Sequence, residues 1–459
     1  MSTSSSTLTS VLSALGGSTG IDVTSAVNAI LYADRAPERG WQAQQSTLAS
    51  QTSAINALNS DASSLSDALN ALNTTTGALT SVTATSSNTS LLSATAAAGT
   101  TLGNHTITIN NLASTGSWYS AEQTSSSSQL ANGSFSITVG STTTSIPTGT
   151  GDGTADTLNE LASTINSKSL GVTASVITDS SGSRLSLIST TTGAAGDFSI
   201  ASGGSIGFTR SGTGADASLT VDGVPITSST NTVTGAISGV TLNLLGAAPA
   251  SGSTPATSIN LGLAADSSSI TSAVSAFVTA FNSLISDVNT TISYNSSTQT
   301  AGVLQSDSAA QSLQSALLAA TNYSSGSGTY QSLSSLGIET NSDGTLTLDS
   351  SKLATAIQSN NAAVTSFFEG SAFNGFAASL NTTLNTYTDP TQGAFTVDLQ
   401  SISAENKDLT DETNSLEVYL TSQQTILTAQ YNAADIAIQQ LPQKLKQINA
   451  LLNPNSSSS

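Results

Sequence analysis

The 459-residue chain contains no cysteine, one histidine, one methionine, two tryptophans and only nine Lys or Arg. Without cysteine there are no disulfides, no thiolate metal sites and no cysteine nucleophile. This also suits a chain that must stay unfolded, or readily unfoldable, before it is assembled. One histidine, His105, is too few for a histidine-rich metal site and reads as a surface or satisfied residue at the start of a strand. Nine basic residues against 28 acidic ones give a formal net charge of -19. A phosphate backbone would repel such a chain, because nucleic-acid affinity rests largely on Lys and Arg displacing counterions. Nucleic acid is therefore not an expected partner. Between Arg39 and Lys168 there is no basic residue at all, so that stretch has no cation for phosphate or an anionic membrane, and few salt bridges can form anywhere. The opening residues lack a basic n-region and a continuous apolar run, and no later segment reads as a membrane span; neither a Sec-type signal peptide nor membrane insertion is expected.

Serine is abundant, but a serine nucleophile needs an oriented base, and His105 lies outside any nucleophile-elbow motif. Among 28 acids nothing singles out a carboxylate pair for glycoside hydrolysis. No catalysis and no cofactor are expected.

What the chain does have is heptad spacing at both ends. Leu58, Leu65, Leu72 and Leu79 recur at seven, with Trp41, Leu48, Ile55, Ala62 and Leu69 three places earlier, which is an a/d seam. Near the other end Leu420, Leu427, Ala434, Leu441 and Ile448 repeat at seven beside Tyr431, Ile438, Leu445 and Leu452. Within the Ser-, Thr- and Gly-rich first twenty residues, Leu8, Val11, Leu12 and Leu15 fall on one face of a helix too short to be stable alone in water. That helix is expected to order only on docking.

Each seam can close on its own chain or on a neighbouring subunit. For Leu58 to Leu79 the internal core is favoured; for Leu8 to Leu15 and Leu445 to Leu452, at the extreme ends, contact with a subunit or filament is favoured. The candidate contact residues are Leu8, Val11, Leu12, Leu15, Leu48, Ile55, Leu58, Leu65, Leu72, Leu420, Leu427, Leu441, Leu445, Ile448 and Leu452. Pro37 predicts a helix break at Ala36-Pro37, and Pro442 argues against an unbroken final helix.

The middle of the chain reads mainly as strand. Residues 105–112 and Ser134 to Val139 alternate apolar and polar, as half-buried strands do. A helix over Thr154 to Ser167, with Thr154 or Asp156 as its N-cap, interrupts them. Strands resume at Val172 to Ile177 and Arg184 to Ile188 around the turn Asp179 to Gly182, then over 216–245 around Asp222-Gly223. From Ile270 a wide helical stripe returns (Val274, Phe277, Val278, Phe281, Leu284, Ile285, Val288, Ile292), which marks a core face. Helices are expected at Ala309 to Ala320 and Lys352 to Phe368, a hairpin at Gly337 to Leu348, and a loop at Thr388 to Gly393. Asn341 to Asp349 superficially resembles a calcium loop, but its spacing fails the twelve-residue pattern and Asp343-Gly344 reads as the hairpin turn.

The expected fold is α+β and multidomain: N- and C-terminal helices paired as a coiled-coil or helical-bundle stalk, with inserted β-rich head domains. The boundaries expected are 1–40 and 440–459 for terminal leg helices, 41–110 and 263–439 for a helical stem with a β-hairpin, 111–131 and 213–262 for a β-rich head, and 132–212 for a second head inserted in the first.

Several blocks carry a resemblance. Gly20-Ile21-Asp22-Val23-Thr24-Ser25-Ala26-Val27 followed by Arg35-Ala36-Pro37 opens it, and Asp156 to Asn166 followed by Gly171-Val172-Thr173-Ala174 is similar to the Ile-Asn motif of flagellins and hook-associated proteins. Asp216-Ala217, Val221-Asp222-Gly223-Val224, Asn231-Thr232 and Gly239-Val240-Thr241-Leu242 are more diagnostic. Phe281 to Ile285, Gly302-Val303-Leu304 with Asp307-Ser308, and Leu336-Gly337-Ile338 with Asp343 to Leu346 and Asp349 follow in order. Over nearly its whole length the chain resembles the bacterial flagellar filament cap family, also called flagellar hook-associated protein 2.

The resemblance implies an extracellular protein exported without cleavage through the flagellar type III channel. It implies a ring of roughly four to six identical subunits at the filament tip. Its β-rich plate and helical legs would serve flagellin folding and insertion. Flagellin, hook-filament junction proteins and an export chaperone at the C-terminal helix are the partners implied. A rival reading is a secreted adhesin that binds host glycan or protein through residues 111–262. A flagellin or junction protein would share the Ile-Asn motif, but the Asp216 to Leu242 block favours the cap.

Overall fold

The computed structural model describes residues 22–151, 155–203, 206–248, 256–297 and 299–452. Leu8, Val11, Leu12 and Leu15, and the N-cap expected at Thr154, lie outside the described residues. Elements below are numbered in chain order.

The stem is helical. Helix α1 (Val23–Asp34) is capped by Asp22, whose carboxylate accepts the Ser25 N–H at 3.0 Å. Arg35 alone separates it from α2 (Ala36–Ala71), where Pro37 occupies the first turn and its missing N–H falls where no intrahelical bond is due. The break therefore lies where Pro37 predicts it. Leu58, Leu65, Leu72 and Leu79 are at most 1% exposed, in one core with α4 (Ser267–Ile292), α5 (Ser308–Thr321), α6 (Ser350–Glu369) and α7 (Phe376–Thr388). Phe277, Phe367, Phe368 and Phe376 meet at its centre, with the Phe277 and Phe376 rings edge-on at 5.4 Å. Helix α7 is absent from the sequence reading; its Ser, Thr and Asn outer face dilutes the apolar period.

Two expectations about helices are corrected. With 26 residues and a mean hydropathy of 1.3 in its most apolar window, α4 is long and apolar enough to cross a membrane, contrary to the reading that no segment is. Its stripe from Ile270 to Val288 is instead buried against α2 and the other stem helices, so it behaves as a core helix. The last helix, α8 (Ala394–Leu452), runs through Pro442 without interruption for 59 residues, about 88 Å at 1.5 Å per residue. Proline deletes only one ladder bond, and the carbonyl it orphans, on the half-exposed Ile438, can turn to water.

The head begins earlier than expected. Strands β1 (Val82–Ser86), β15 (Ser258–Ala265), β3 (Gly103–Asn111), β11 (Ala217–Val221) and β12 (Val224–Ser228) form, in that order, one antiparallel sheet. Facing it are β13 (Thr232–Ile237), β14 (Val240–Leu244) and β2 (Leu92–Ala96). Ile107, Ile109, Leu219, Leu242, Ile259 and Leu261 fill the space between the two sheets. Residues 82–110, expected in the helical stem, thus belong to the head. Strands β1 and β2 are built mainly from Ala, Ser and Thr, and their partners lie more than a hundred residues away, so local pattern could not place them; β3 alternates visibly, but its partners are as distant. Asp222 (φ 51°) and Gly223 (φ 84°) make the two-residue turn between β11 and β12 with the primed geometry a hairpin favours.

The inserted unit likewise starts earlier. It contains β5 (Gly133–Val139) between β6 (Thr142–Thr148) and β9 (Phe198–Ser202). Its second sheet runs β10 (Phe208–Gly212), β4 (Ser117–Ser120), β8 (Ser183–Ser189) and β7 (Val172–Thr178), with α3 (Leu158–Ser167) packed on it. Strand β4 lies before the expected boundary at 132 yet pairs only within this unit. The cap of α3 is Thr157, in a reciprocal box with Glu160, and not Thr154 or Asp156.

Candidate assembly surface

Three asparagines of the sequence blocks do the same job. Asn166 accepts the Ala174 N–H at 2.8 Å and donates to the Ala174 carbonyl at 2.9 Å. Asn231 holds Ala113 in this way at 2.7 and 2.9 Å, and Asn282 holds Leu346 at 2.6 and 2.8 Å. Each side-chain amide stands in for a missing strand neighbour, so backbone groups that would be orphaned are paired. An aspartate cannot donate, and a leucine can do neither. We expect Asn282→Leu to cost about 2 kcal/mol through the two orphaned groups at Leu346, measured by denaturant unfolding. These roles are not visible in composition or period; the only signal was an Asn within each block that carries the family resemblance. His105 and Asp343 have structural partners: the imidazole Nδ1 lies 2.7 Å from Asp222, and the Asp343 carboxylate accepts the Thr345 N–H at 3.0 Å.

Helices α1 and α8 meet along the stalk. Val27 and Leu31 of α1 are buried against Leu420 of α8, with Val23, Leu416, Leu427 and Tyr431 around them. Below this contact the Arg35 guanidinium forks onto the Glu417 carboxylate and reaches Glu38 at 2.8 Å. That bidentate pair holds Glu417 below the usual carboxylate range and Arg35 above its own. Gln44 to Glu405 (2.5 Å) and Gln45 to Thr410 (3.1 Å) continue the same antiparallel register along α2. A shallow groove beside Trp41, lined by Asp408, Asp411, Glu412, Ser415 and Leu416, opens at this seam.

The predicted contact residues divide sharply. Ile55, Leu58, Leu65 and Leu72 are fully buried in the core of the chain's own stem, and Leu48 is buried as well, at 5% exposed; in the folded chain these side chains are taken up by internal packing. Leu420 is 2% exposed and Leu427 half-buried, both against α1. Leu441 and Ile448 are 51% and 50% exposed. Leu445 and Leu452 lie on the same helix, with side chains outside the described residues.

Acids also meet inside the stem. Asp61 of α2 faces Asp287 of α4, and burial followed by the shared hydrogen bond with Asp287 pushes the Asp61 carboxyl up to about 6. Burial likewise raises Asp398, helped by Asp307, and leaves its Oδ2 without a partner. The folded value of Asp61 lies above the unfolded one, near 3.9. Its contribution to stability is therefore full below about pH 4 and lost as pH rises through about 6. Asp61→Asn should raise stability at pH 7.5 by about 0.5–1 kcal/mol, after discounting for solvent screening, and leave it unchanged at pH 4. Thermal melts at the two pH values check this; equal gains at both would contradict it.

Helices α1, α2 and α8 thus form one helical stalk that carries two inserted β units, which defines a multidomain architecture of stalk and head. Residues 19–116 match the N-terminal region of flagellar hook-associated protein 2, 214–443 match its C-terminal region, and 134–191 match the flagellin hook IN motif. The chain belongs to the flagellar hook-associated protein 2 family. It is 28% identical over 424 residues to the B-type flagellar hook-associated protein 2 of Pseudomonas aeruginosa, covering 84% of both chains. To the flagellar hook-associated protein 2 of Escherichia coli it is 26% identical over 474 aligned positions, covering 97% of this chain and 99% of that one. The crystal structure of the D1-D2-D3 domains of the flagellar cap protein from Escherichia coli superposes with a TM-score of 0.57 at 26% identity, covering 76% of this chain and 99% of that chain.

Proposed function

We propose that this protein caps the distal end of the bacterial flagellar filament, as a ring of identical subunits that promotes the folding and insertion of flagellin. The observation that carries the reading is the stalk. Its apolar seam is closed by α1 up to Tyr431 and then continues, uncovered among the described residues, onto exposed Leu441 and Ile448 of α8. A soluble monomer gains nothing from such a surface, whereas a leg that grips and releases filament subunits needs one. Modest binding per leg, multiplied around a ring, gives persistence without freezing movement.

In this reading residues 1–40 and 440–459 are the legs, the stem carries them, and the two β units form the plate. Flagellin, the hook-filament junction proteins and an export chaperone on the C-terminal helix are the proposed partners, and the protein is extracellular after uncleaved export. A chain without cysteine and with small Ser, Thr, Ala and Gly side chains threads a narrow channel easily. The adhesin alternative gains nothing from the family or the fold. Light scattering of the full-length protein over a concentration series, followed by electron microscopy, should give closed rings or stacked pairs of rings; a strict monomer at every concentration would refute the capping reading.

A further inference from the structure

Helix α8 carries a second apolar row on the side away from α1. Tyr419, Ile426 and Ala433 recur at seven, with Ala429 and Ile436 in the companion position and Val418 beside them. At about 100° per residue, this row is centred roughly 150° around the helix from Leu416, Leu420, Leu427 and Tyr431, the face that holds α1. Val418 is 73% exposed, Ile436 56%, Tyr419 52% and Ile426 45%. Over one stretch of helix, then, one face is filled by the chain itself and the opposite face is open.

Charge says what can cover it. Residues 418–434 contain no Asp, Glu, Lys or Arg, and neither do residues 23–33 of α1 alongside. In a chain of net charge -19, two copies repel each other almost everywhere, and homotypic contact is least opposed where neither copy is charged. The patch has no charged group with which to select a charged partner. Its spacing is that of a coiled-coil seam, in which Ala429 and Ala433 allow close approach and Tyr419, Ile426 and Ile436 supply the knobs.

We propose that this outward row of α8 is a homotypic docking surface, covered in the assembly by the same row of a second copy. The proposal rests on the ring reading above: parallel stalks that turn this row toward a shared axis meet row to row, as the helices of a parallel coiled coil do. The contact is apolar and the opposing repulsion is screened by salt, so association should tighten as ionic strength rises. An ion-paired interface would weaken instead.

The absence of cysteine makes the test direct, since one introduced thiol is the only one in the chain. Full-length Ile426→Cys, Ala433→Cys and Thr421→Cys are treated with a short bismaleimide at concentrations where light scattering shows assembly. Thr421 is exposed and lies between the two faces. Positions 426 and 433 should link into covalent dimers and 421 should not. Ile426→Asp combined with Ile436→Asp should weaken assembly by at least about tenfold, with unchanged thermal melting at concentrations too dilute for assembly, because neither side chain supports the fold. A chain that assembles without linking at 426 and 433, or links equally at all three positions, overturns the surface alone. Linking at 426 only to added flagellin overturns it in favour of a filament contact. A chain that never assembles defeats the ring reading and this surface together.

Discussion

Leu58→Ala should destabilise the isolated protein by about 2–5 kcal/mol, whereas Leu441→Ala should change its stability by less than about 0.5 kcal/mol. Both leucines occupy heptad positions that look equivalent in sequence. Leu58 is fully buried among stem helices, so truncation removes its transfer free energy and leaves a cavity that close-packed neighbours fill only in part. Leu441 is half in solvent already and lies outside the stem core. Urea unfolding of the two variants separates the cases. Equal losses would mean that the C-terminal seam is closed within the monomer, and the leg assignment would have to be abandoned.

Truncation after Gln440 should abolish filament elongation in cells while leaving ring formation intact. The deletion removes the exposed end of α8, including Leu441 and Ile448, and touches neither the stem core nor the α1 contact at Leu420. The loss should be nearly complete, because a ring multiplies each leg's contribution: halving the grip of every leg compounds over all of them. Filament length by electron microscopy, read beside light scattering of the purified truncated protein, gives both outcomes. Normal filaments with this truncation would refute the leg function, and loss of the ring would place an assembly contact within residues 441–459.

Much of this architecture was legible because it is periodic. The heptads of α2 and α8, the wide stripe of α4, the break at Pro37 and the Asp-Gly turns at 222–223 and 343–344 all follow from local spacing and turn chemistry, and each lies where expected. The misplaced strands have a common cause. Strands β1 and β2 are short runs of Ala, Ser and Thr whose pairing partners, β15 and β14, lie at least 140 residues on. Strand β4 joins a sheet whose other members come more than fifty residues later. Helix α7 hides its buried Phe376, Leu380 and Leu384 among Thr and Asn.

The sequence alone determined that this chain is acidic, free of cysteine and helical in the stretches 23–71 and 394–452, because charge, chemistry and period are carried by each residue and its near neighbours. It also carried the blocks that place it in its family. Only the tertiary structure decided which leucines of the two seams are core and which remain open, where the head leaves the stem, and that α8 presents a second face. Those facts depend on what packs against a residue from far along the chain, and burial is a property of the partner as much as of the side chain itself.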